Sequence, residues 1–309
     1  MNFFKPKFWD KNKISFFSII LFPISLLVKL LSSIKYHLTK TNKFPISVIC
    51  VGNIYLGGTG KTPISIELFS ILKNLKKNPA FIRKKYDSFQ DEANLQKSFG
   101  KVYESRKRTI ALNDAVKENI NVAILDDGFQ DFSIYKDFSI VCFNEKQWIG
   151  NGLTIPSGPL RENLTSLKRA NCVIINGNQN NNIEKEIFKQ NSGIKIYYIN
   201  YIPINTDEYK NKKIIAFAGI GNPENFFELL KCNNINVFEK IKFPDHHNFT
   251  EIELKNLINK ATKNNAVLLT TEKDYYRINE NYKTDINCLK IKVKIKNHDK
   301  FVKEIQKNI

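Results

Sequence analysis

The chain has few cysteines, and their arrangement excludes two kinds of site. Its 309 residues include five cysteines. They are dispersed at Cys50, Cys142, Cys172, Cys232 and Cys288. An odd, scattered set forms no disulfide framework, and no Cys-X-X-Cys pair is present to bind zinc. Several of the cysteines lie within apolar, strand-like runs, so we expect buried free thiols in a reducing compartment.

Acidic residues are scarce beside the basic ones. The sequence has 30 Asp and Glu residues against 48 Lys and Arg, a net charge of +18 at pH 7. Such a charge favours an anionic partner, either a phosphorylated substrate on an anionic membrane or a nucleic acid. No zinc knuckle, aromatic RNA-binding signature or recognition-helix pattern accompanies it. We therefore expect an anionic membrane surface and no nucleic acid as partner, and we expect a monomer.

A long uninterrupted hydrophobic run is also missing. Residues 14–28 are almost wholly apolar, which is short of the roughly 20 residues that a full span requires. Four residues interrupt the run, namely Ser15, Ser18, Pro23 and Ser25. Lysines flank it on both sides, so the orientation is not fixed. We expect residues 1–40 to form a retained membrane-associating helix, either a short span or an in-plane helix. A cleaved signal peptide is the alternative, but no small-residue cleavage site follows.

What the chain does contain is a glycine-rich phosphate loop at residues 51–63, Val-Gly-Asn-Ile-Tyr-Leu-Gly-Gly-Thr-Gly-Lys-Thr-Pro. A strand is predicted before it at residues 44–50 and a helix after it at residues 64–75. In such loops the backbone N–H groups converge on phosphate oxygens, the lysine neutralises the outer phosphates and the threonine hydroxyl reaches Mg²⁺. The residues expected to bind the nucleotide are Gly57, Gly58, Thr59, Gly60, Lys61 and Thr62. Tyr55 stands where the usual spacing has a glycine, so a glycine-rich hairpin with an incidental Lys-Thr is the alternative.

Two carboxylates end the next apolar run. The segment Val-Ala-Ile-Leu at residues 122–125 is typical of a buried parallel strand, and Asp126 and Asp127 follow it. Ligands of open α/β sheets lie beyond the carboxyl ends of the strands, so these acids are expected to face the nucleotide and its Mg²⁺. An ordinary Asp-Asp-Gly turn is the alternative.

Apolar runs alternate with helical patterns along the chain. Strands are predicted at residues 44–50, 80–82, 122–125 and 139–143 in a first lobe, and at 172–175, 195–199, 214–218 and 267–270 in a second. The predicted class is α/β, with a P-loop kinase-like parallel sheet, helices on both faces and a second, smaller α/β lobe. We place the nucleotide-binding lobe at residues 41–165 and the lobe that completes the active-site cleft at 166–309.

Six motifs occur in an order that resembles one family. They are the phosphate loop, Asp-Asp-Gly-Phe-Gln at 126–130, Asn-Gly at 151–152 with Pro-Ser-Gly-Pro-Leu-Arg-Glu at 156–162, Gly-Ile-Gly-Asn-Pro at 219–223, Phe-Pro-Asp-His-His at 243–247 and Thr-Glu-Lys-Asp at 271–274. The order closely resembles the tetraacyldisaccharide 4'-kinases of lipid A synthesis, whose own phosphate loop shares the irregularity at Tyr55. The resemblance implies transfer of the γ-phosphate of ATP, with Mg²⁺, to the 4'-hydroxyl of an acylated glucosamine disaccharide 1-phosphate, giving lipid IVA. It also implies work at the cytoplasmic face of the bacterial inner membrane.

The resemblance further implies roles for three acid–base residues. Asp91 is the proposed base and Glu92 a metal or network carboxylate, while His246 holds and tunes Asp91. As a hypothesis, Asp91 and His246 meet across the cleft between the two lobes and act as one unit. From the residues alone, an Asp-Glu pair in a polar stretch such as Asp91 and Glu92 is usually a solvated surface pair, and His247 has no role. Lys61 is expected to take part in catalysis as well as in nucleotide binding.

Two arginines are expected to bind phosphate groups of the substrates. Arg161 can grip either the transferred phosphate or the 1-phosphate with two parallel hydrogen bonds, or it can lie on a surface turn beside Glu162. Arg83 aligns with an arginine of the family, although the run Ile-Arg-Lys-Lys-Tyr-Asp at residues 82–87 lacks the glycines of relatives and is followed by a shorter loop. Asp131 stands where relatives commonly have a histidine.

Two other classes of function fit part of the sequence. A P-loop ATPase that positions cargo at membranes accounts for the phosphate loop and the N-terminal segment, and a basic membrane or nucleic-acid tether accounts only for the charge. The kinase accounts for all six motifs, and analysis of the products separates it from the ATPase.

Overall fold

The computed structural model describes residues 6–9, 14–85 and 90–309, with the backbone alone at positions 90 and 91. Over these ranges the chain forms two compact units. The large unit takes in residues 6–9, 14–85, 99–200 and 293–309, and the small unit takes in residues 90–98 and 201–292. The two units are groups of residues that contact one another within the folded chain. The domain limits predicted from the sequence, 1–40, 41–165 and 166–309, stay a prediction.

Two sheets are present among the described residues. In chain order the strands are β1 (Ser47–Gly52), β2 (Pro79–Lys84), β3 (Val102–Ser105), β4 (Val122–Asp126), β5 (Phe138–Asn144), β6 (Cys172–Asn176), β7 (Lys195–Pro203), β8 (Ile214–Ala218), β9 (Val237–Lys242), β10 (Val267–Thr271), β11 (Ile286–Leu289) and β12 (Ile291–Ile295). The large sheet has the order β12-β7-β6-β5-β1-β4-β2-β3 and the small one β11-β10-β8-β9. The predicted mixed α/β class, with a large, mostly parallel sheet and a second, smaller one, is confirmed.

Helices flank both sheets. They are α1 (Phe16–Leu38), α2 (Lys61–Asn74), α3 (Gln90–Lys97), α4 (Arg108–Lys117), α5 (Asn181–Gln190), α6 (Pro223–Cys232), α7 (Glu251–Lys263), α8 (Glu272–Tyr275) and α9 (His298–Lys307). In α2 the side chains of Ile64, Leu68 and Leu72 recur every four residues and are all buried, so one face of this helix packs into the core of the large unit.

The order of the large sheet determines where a ligand can bind. β1 lies between β4 and β5 and is parallel to both. Every residue of β4 and of β5 is buried, as expected for strands covered on both faces. The loop after β1 and the turn after β4 therefore leave the sheet at the same edge, which is where open α/β sheets bind ligands.

The strand grouping predicted from the sequence was wrong in one respect. β6 and β7 were expected in the second lobe, but β6 pairs with β5 and β7 pairs with β6 in the large sheet. The apolar pattern of a strand shows that it is buried but not which sheet buries it. In the small sheet all adjacent strands are parallel.

The N-terminal helix lies within the predicted range of residues 1–40 and extends beyond the apolar run of residues 14–28. α1 has 23 residues and ends at Leu38, where the N–H of Thr39 bonds to the carbonyl of Lys35. Its most apolar window has a mean hydropathy of 2.1, so by length and composition the helix could cross a membrane. The helix continues past the apolar run of residues 14–28 because the apolar pattern resumes after Lys29 with Leu30, Leu31 and Ile34.

The cysteines follow the prediction in part. All five are free; Cys50, Cys142 and Cys172 are buried, Cys288 is partly buried and Cys232 is exposed. Burial raises the pKa of Cys50 to about 11.

Candidate active site

The phosphate loop connects β1 to α2 at the ligand-binding edge of the large sheet. Gly60 precedes the helix with φ 88°, a left-handed conformation that glycine adopts without steric cost. This geometry lets α2 begin at Lys61, so the positive end of its dipole and its first N–H groups are placed at the loop. The helix begins three residues earlier than the sequence predicted.

Polar side chains hold the loop in shape. Asn53 is fully buried, and its Nδ2 donates to the Thr59 hydroxyl at 3.0 Å and to the Gly57 carbonyl at 3.3 Å. Gln130 in turn donates to the carbonyl of Asn53 at 3.0 Å. The Asp-Asp-Gly-Phe-Gln motif therefore supports the loop as well as supplying carboxylates.

The irregular position Tyr55 has a structural explanation. Its side chain is 1% exposed, and its backbone forms an antiparallel bridge with Leu160. The N–H of Arg161 donates to the carbonyl of Ile54 at 2.7 Å. The phosphate loop is thus attached to the segment that ends in Arg161, and the tyrosine fills the space beneath it.

Asp127 lies between two cations. One nitrogen of Arg161 is 2.9 Å and 3.0 Å from the two carboxylate oxygens, and Lys61 Nζ is 3.6 Å from Oδ1. Burial by itself would raise the pKa of Asp127, but the charges of Lys61 and Arg161 outweigh it and lower the pKa to about 2. The carboxylate therefore stays ionised at any physiological pH.

Asp126 forms a second, more deeply buried ion pair. Its Oδ2 accepts a hydrogen bond of 2.6 Å from Arg83, and the two residues are 3% and 7% exposed. Arg83 lies on β2 and Asp126 ends β4, and these strands are adjacent in the sheet. In this structure Arg83 therefore pairs with Asp126 and orients its carboxylate.

Arg108 is a site residue that the sequence did not reveal. Its guanidinium donates to the backbone carbonyls of Asp126 at 3.2 Å and Asp127 at 2.9 Å, and to the Asp131 carboxylate at 3.3 Å. It is 7% exposed. Asp131 thus fixes the arginine that holds the carboxylate turn.

The oxygen atoms near the loop suit a magnesium ion. Thr62, Asp126 and Asp127 offer hydroxyl and carboxylate oxygens, which are the ligands that Mg²⁺ prefers. No cluster of three or more His, Cys, Asp or Glu side chains able to hold a metal occurs in the described ranges.

A second group of predicted residues lies in the small unit. Asp91 and Glu92 are in the first turn of α3, whereas the sequence placed them on a loop; the side chain of Asp91 lies outside the described part. α3 packs on α8, and Lys273 of α8 lies 2.9 Å from Glu92 and 3.3 Å from His246 Nε2. Positions 91 and 246 therefore belong to the same compact unit, and the pairing of Asp91 with His246 across a cleft stays a prediction.

Backbone geometry at His246 is unusual. Its φ is 55°, and its N–H donates to the carbonyl of Gly219 at 3.0 Å. That carbonyl also accepts from Arg277 at 2.9 Å, and Arg277 pairs with the fully buried Asp274 at 2.6 Å. A buried ion pair thus holds the turn that carries the imidazole.

His247, which had no predicted role, packs against Phe243 with ring centroids 4.8 Å apart. Its Nε2 is 3.0 Å from both carboxylate oxygens of Glu253, which belongs to the capping box that begins α7. It therefore has a structural role.

Known proteins resemble this chain over almost its whole length. The sequence profile described as LpxK, Tetraacyldisaccharide-1-P 4'-kinase, matches residues 17–309. The chain belongs to this family.

Individual members agree with that assignment. The Tetraacyldisaccharide 4'-kinase of Pelagibacter ubique is 42% identical over 98% of this chain and 99% of its own length. The one of Rickettsia bellii is 34% identical, with 98% of each chain covered. The crystal structure of LpxK from Aquifex aeolicus in complex with ATP superposes with a TM-score of 0.73 at 26% identity, covering 94% of this chain and 98% of that one.

Family membership accounts for the order of the six motifs, and the structure shows where they gather. The phosphate loop, both aspartates of β4 and Arg161 come together in the large unit, while Glu92 and His246 are linked through Lys273 in the small unit. The roles predicted for these residues stay predictions. Lys273 and Arg108 were missed as partners of site residues. Lys273 lies within the Thr-Glu-Lys-Asp motif at residues 271–274. Arg108 follows other basic residues, Arg106 and Lys107, which are exposed, and no sequence pattern distinguishes it from them.

Proposed function

We propose that this protein is an ATP-dependent kinase that phosphorylates the 4'-hydroxyl of a tetraacyldisaccharide 1-phosphate, giving lipid IVA in lipid A biosynthesis. Membership in the tetraacyldisaccharide 4'-kinase family carries the proposal. The phosphate loop and the ion pairs around it supply the electrostatic part of phosphoryl transfer, in which catalysis consists largely of positioning and charge neutralisation.

Each residue of the nucleotide site then has a role. The N–H groups from Gly57 to Thr62 hold the phosphates of ATP at the start of α2. Lys61 neutralises charge on the outer phosphates, and for this it exchanges part of its contact with Asp127 for phosphate oxygen. Arg161, on the other side of Asp127, binds the transferred phosphate or the 1-phosphate of the acceptor.

The carboxylates of Asp126 and Asp127, with the Thr62 hydroxyl, are the residues that would hold Mg²⁺. When bound there, the ion would supply positive charge that neutralises the phosphates. Arg83 keeps Asp126 in one orientation, and Arg108 fixes the backbone of the turn, so the oxygens are in position before the nucleotide arrives.

The acceptor hydroxyl requires a group that takes its proton. Asp91 is the proposed base and His246 the imidazole that orients it, with Glu92 as a metal or network carboxylate. Their common location in the small unit, α3 packed on α8, supports this assignment, as does the buried ion pair that holds the turn of His246.

The helix α1 is proposed to lie in the plane of the membrane at the cytoplasmic face of the inner membrane. Its buried residues Ser18 and Ser25 are seven positions apart, or about 10 Å along the axis. Ser25 donates to the carbonyl of Thr154 at 2.9 Å, and Ser18 accepts from Asn151 at 3.2 Å. A spanning orientation would carry this irregular loop into hydrocarbon, where unpaired backbone is strongly disfavoured. Most of the exposed side chains of the helix are large and apolar, which supports contact with lipid.

One assay tests the activity. Detergent-purified protein is incubated with Mg²⁺, γ-labelled ATP and tetraacyldisaccharide 1-phosphate, and label is followed into lipid. We expect a bisphosphorylated lipid from the wild type and a loss of about 100-fold or more in Lys61→Ala, because a charge at the transferred phosphate is removed.

Lys73→Ala, in the last turn of the same helix, is the matched control and should keep full activity. Labelled free phosphate without labelled lipid would instead indicate a membrane-associated ATPase. Asp91→Ala tests the base in the same assay, and turnover equal to wild type would remove it from that role.

A further inference from the structure

The ammonium group of Lys273 joins two residues that the proposed reaction uses. It lies 2.9 Å from Glu92 Oε1 and 3.3 Å from His246 Nε2. Its side chain is 22% exposed, so the contacts are partly shielded from water. Two contacts of this kind restrict both the imidazole ring and the first turn of α3.

The backbone of Lys273 is anchored where His246 is anchored. Lys273 is followed by Asp274, whose carboxylate accepts the N–H of Gly219 at 3.1 Å and 3.2 Å and the Thr271 hydroxyl at 2.7 Å. The carbonyl of the same glycine accepts the N–H of His246. One buried hydrogen-bond network therefore holds the backbones of Lys273 and His246 relative to one another. This fixes the starting point of both side chains that make the contact.

Chemistry then fixes the ring proton. A lysine ammonium has donors and no acceptor, so the ring nitrogen that faces it must accept. The Asp245 carboxylate is 3.8 Å from the same nitrogen, which is beyond hydrogen-bond distance. We therefore expect Nε2 of His246 to be the unprotonated nitrogen and the proton of a neutral ring to be on Nδ1. An imidazole in this tautomer can donate from Nδ1 to a carboxylate, which is what a histidine that orients an aspartate base requires.

We propose that Lys273 is a positioning residue, which fixes His246 in the Nδ1–H tautomer and holds Glu92, and with it the first turn of α3, beside that ring. The role in turnover rests on the proposed function. The inferred tautomer of His246 is independent of the proposed function, because it follows from the contacts within the small unit.

Kinetics of matched variants test the effect on turnover. Lys273→Met keeps the length of the side chain and removes its charge, Lys273→Arg keeps a cationic donor, and Lys263→Met removes an exposed lysine of the same unit. We expect kcat for lipid phosphorylation to fall about 10- to 100-fold in Lys273→Met, as for a small misplacement of a catalytic group. The KM for ATP should stay within about 2-fold, because positioning of an acid–base pair acts on the chemical step rather than on nucleotide binding. Lys273→Arg should recover part of kcat, and Lys263→Met should match wild type.

The tautomer is measured directly. The chain has four histidines, so long-range ¹H–¹⁵N spectra of ¹⁵N-histidine-labelled protein resolve each ring, and His246→Asn assigns the signal. We expect the Nδ1–H pattern in wild type and in Lys273→Arg, and loss of its dominance in Lys273→Met.

An Nε2–H pattern in wild type would overturn the proposal even if no variant could be studied. Wild-type kcat in Lys273→Met would overturn it as well. A low kcat in Lys273→Met with an unchanged Nδ1–H signal would also overturn it, because the lysine would then act on the substrate and not through the ring. If wild type does not phosphorylate the lipid at all, the proposed function fails, and the spectra still decide whether Lys273 sets the tautomer.

Discussion

Single charged side chains hold one another in the nucleotide site. Asp126 is buried against Arg83, whereas Asp127 is about a third exposed between Lys61 and Arg161. Arg108 binds the backbone carbonyls of both aspartates. A phosphate bound as proposed would therefore meet charges whose positions are already fixed, which reduces the reorganisation that binding requires.

Removing Arg108 tests this arrangement. In Arg108→Met the carbonyl oxygens of Asp126 and Asp127 and the carboxylate of Asp131 lose a buried donor. We expect the free energy of unfolding to fall by about 1–3 kcal/mol, the cost of leaving buried polar groups unpaired. We also expect weaker ATP binding, by about 10-fold, because the carboxylate turn and the adjacent phosphate loop lose their support. Urea unfolding and ATP titration calorimetry measure the two effects.

Arg106 is exposed and lies two residues earlier, so Arg106→Met is the control. If both variants behave like wild type, the hydrogen bonds of Arg108 contribute nothing measurable to the site.

Thiol reactivity should follow burial. Burial raises the pKa of Cys50 and that of Cys288 to about 11, and it raises the pKa of Cys142 and Cys172 further. A raised pKa keeps the thiol protonated until the pH approaches that value, and the thiolate is the reactive form. At pH 8 we therefore expect iodoacetamide to label the exposed Cys232 first, with the other four reacting only as pH rises towards 11 or the protein unfolds. Mass spectrometry of timed samples shows the order, and rapid labelling of Cys50 in folded protein would contradict it.

Sequence reasoning located the residues of this site better than their partners. Motifs identify Lys61, Asp126 and Asp127 because these residues lie at the end of a predicted strand or in the loop that follows one, so the pattern is local in the sequence. Arg108 and Arg83 reach the same turn from α4 and β2, and only tertiary packing brings them there. The helical position of Asp91 and Glu92 was also missed, because no capping residue or apolar periodicity identifies so short a helix.

At the scale of elements, α1 is attached to the segment that supports the phosphate loop. Ser25 is 2% exposed and bonds to Thr154 and Ser157. From there the chain continues through Leu160, which bridges to Tyr55 of the loop. Ser25 interrupts the apolar run in the sequence, and it lies on the face of α1 that packs against the rest of the protein. The apolar pattern predicted the helix, but only the contacts show which face is buried.

Replacing the docking serine should disturb both stability and nucleotide binding. Ser25→Leu places a larger apolar side chain against buried polar groups and removes hydrogen bonds at 2.8 Å and 2.9 Å. We expect a loss of about 1–3 kcal/mol in the free energy of unfolding and a weaker affinity for ATP. Thermal melting and ATP titration measure these.

Ser33→Leu makes the same chemical change at an exposed position of α1 and should leave both quantities unchanged. Equal behaviour of the two variants would show that α1 is not coupled to the loop.

At the scale of the whole molecule, charge and exposed apolar area occur together. The net charge is +18, and α1 exposes large apolar side chains such as Leu27 and Leu30, each 57% exposed. Basic charge and an apolar helix face together favour binding to an anionic bilayer. Composition predicted this surface, but it did not predict that β6 and β7 extend the large sheet, because long-range strand pairing has no local signal.

Vesicle flotation tests the membrane surface. We expect wild type to float with vesicles that contain anionic phospholipid, less so at high salt, which screens the charges. The double variant Leu27→Asp with Leu30→Asp should bind at least about 10-fold more weakly, because buried apolar area is lost and acid is added. Ile252→Asp changes an even more exposed apolar residue, on α7, and should float like wild type. Undiminished flotation of the double variant would assign binding to another surface.

The left-handed backbone at His246 makes that position sensitive to a change in selection. A residue other than glycine at φ 55° carries a conformational penalty of about 1 kcal/mol or more, which glycine would relieve. Screens for heat resistance alone should therefore enrich glycine at 246, and, given the proposed role of His246, they should return well-folded, inactive protein. In a lineage that no longer made the lipid product, we expect His246 to be among the first residues lost to drift. Asp274 and Arg277, whose buried ion pair holds the turn, should persist because folding still needs them.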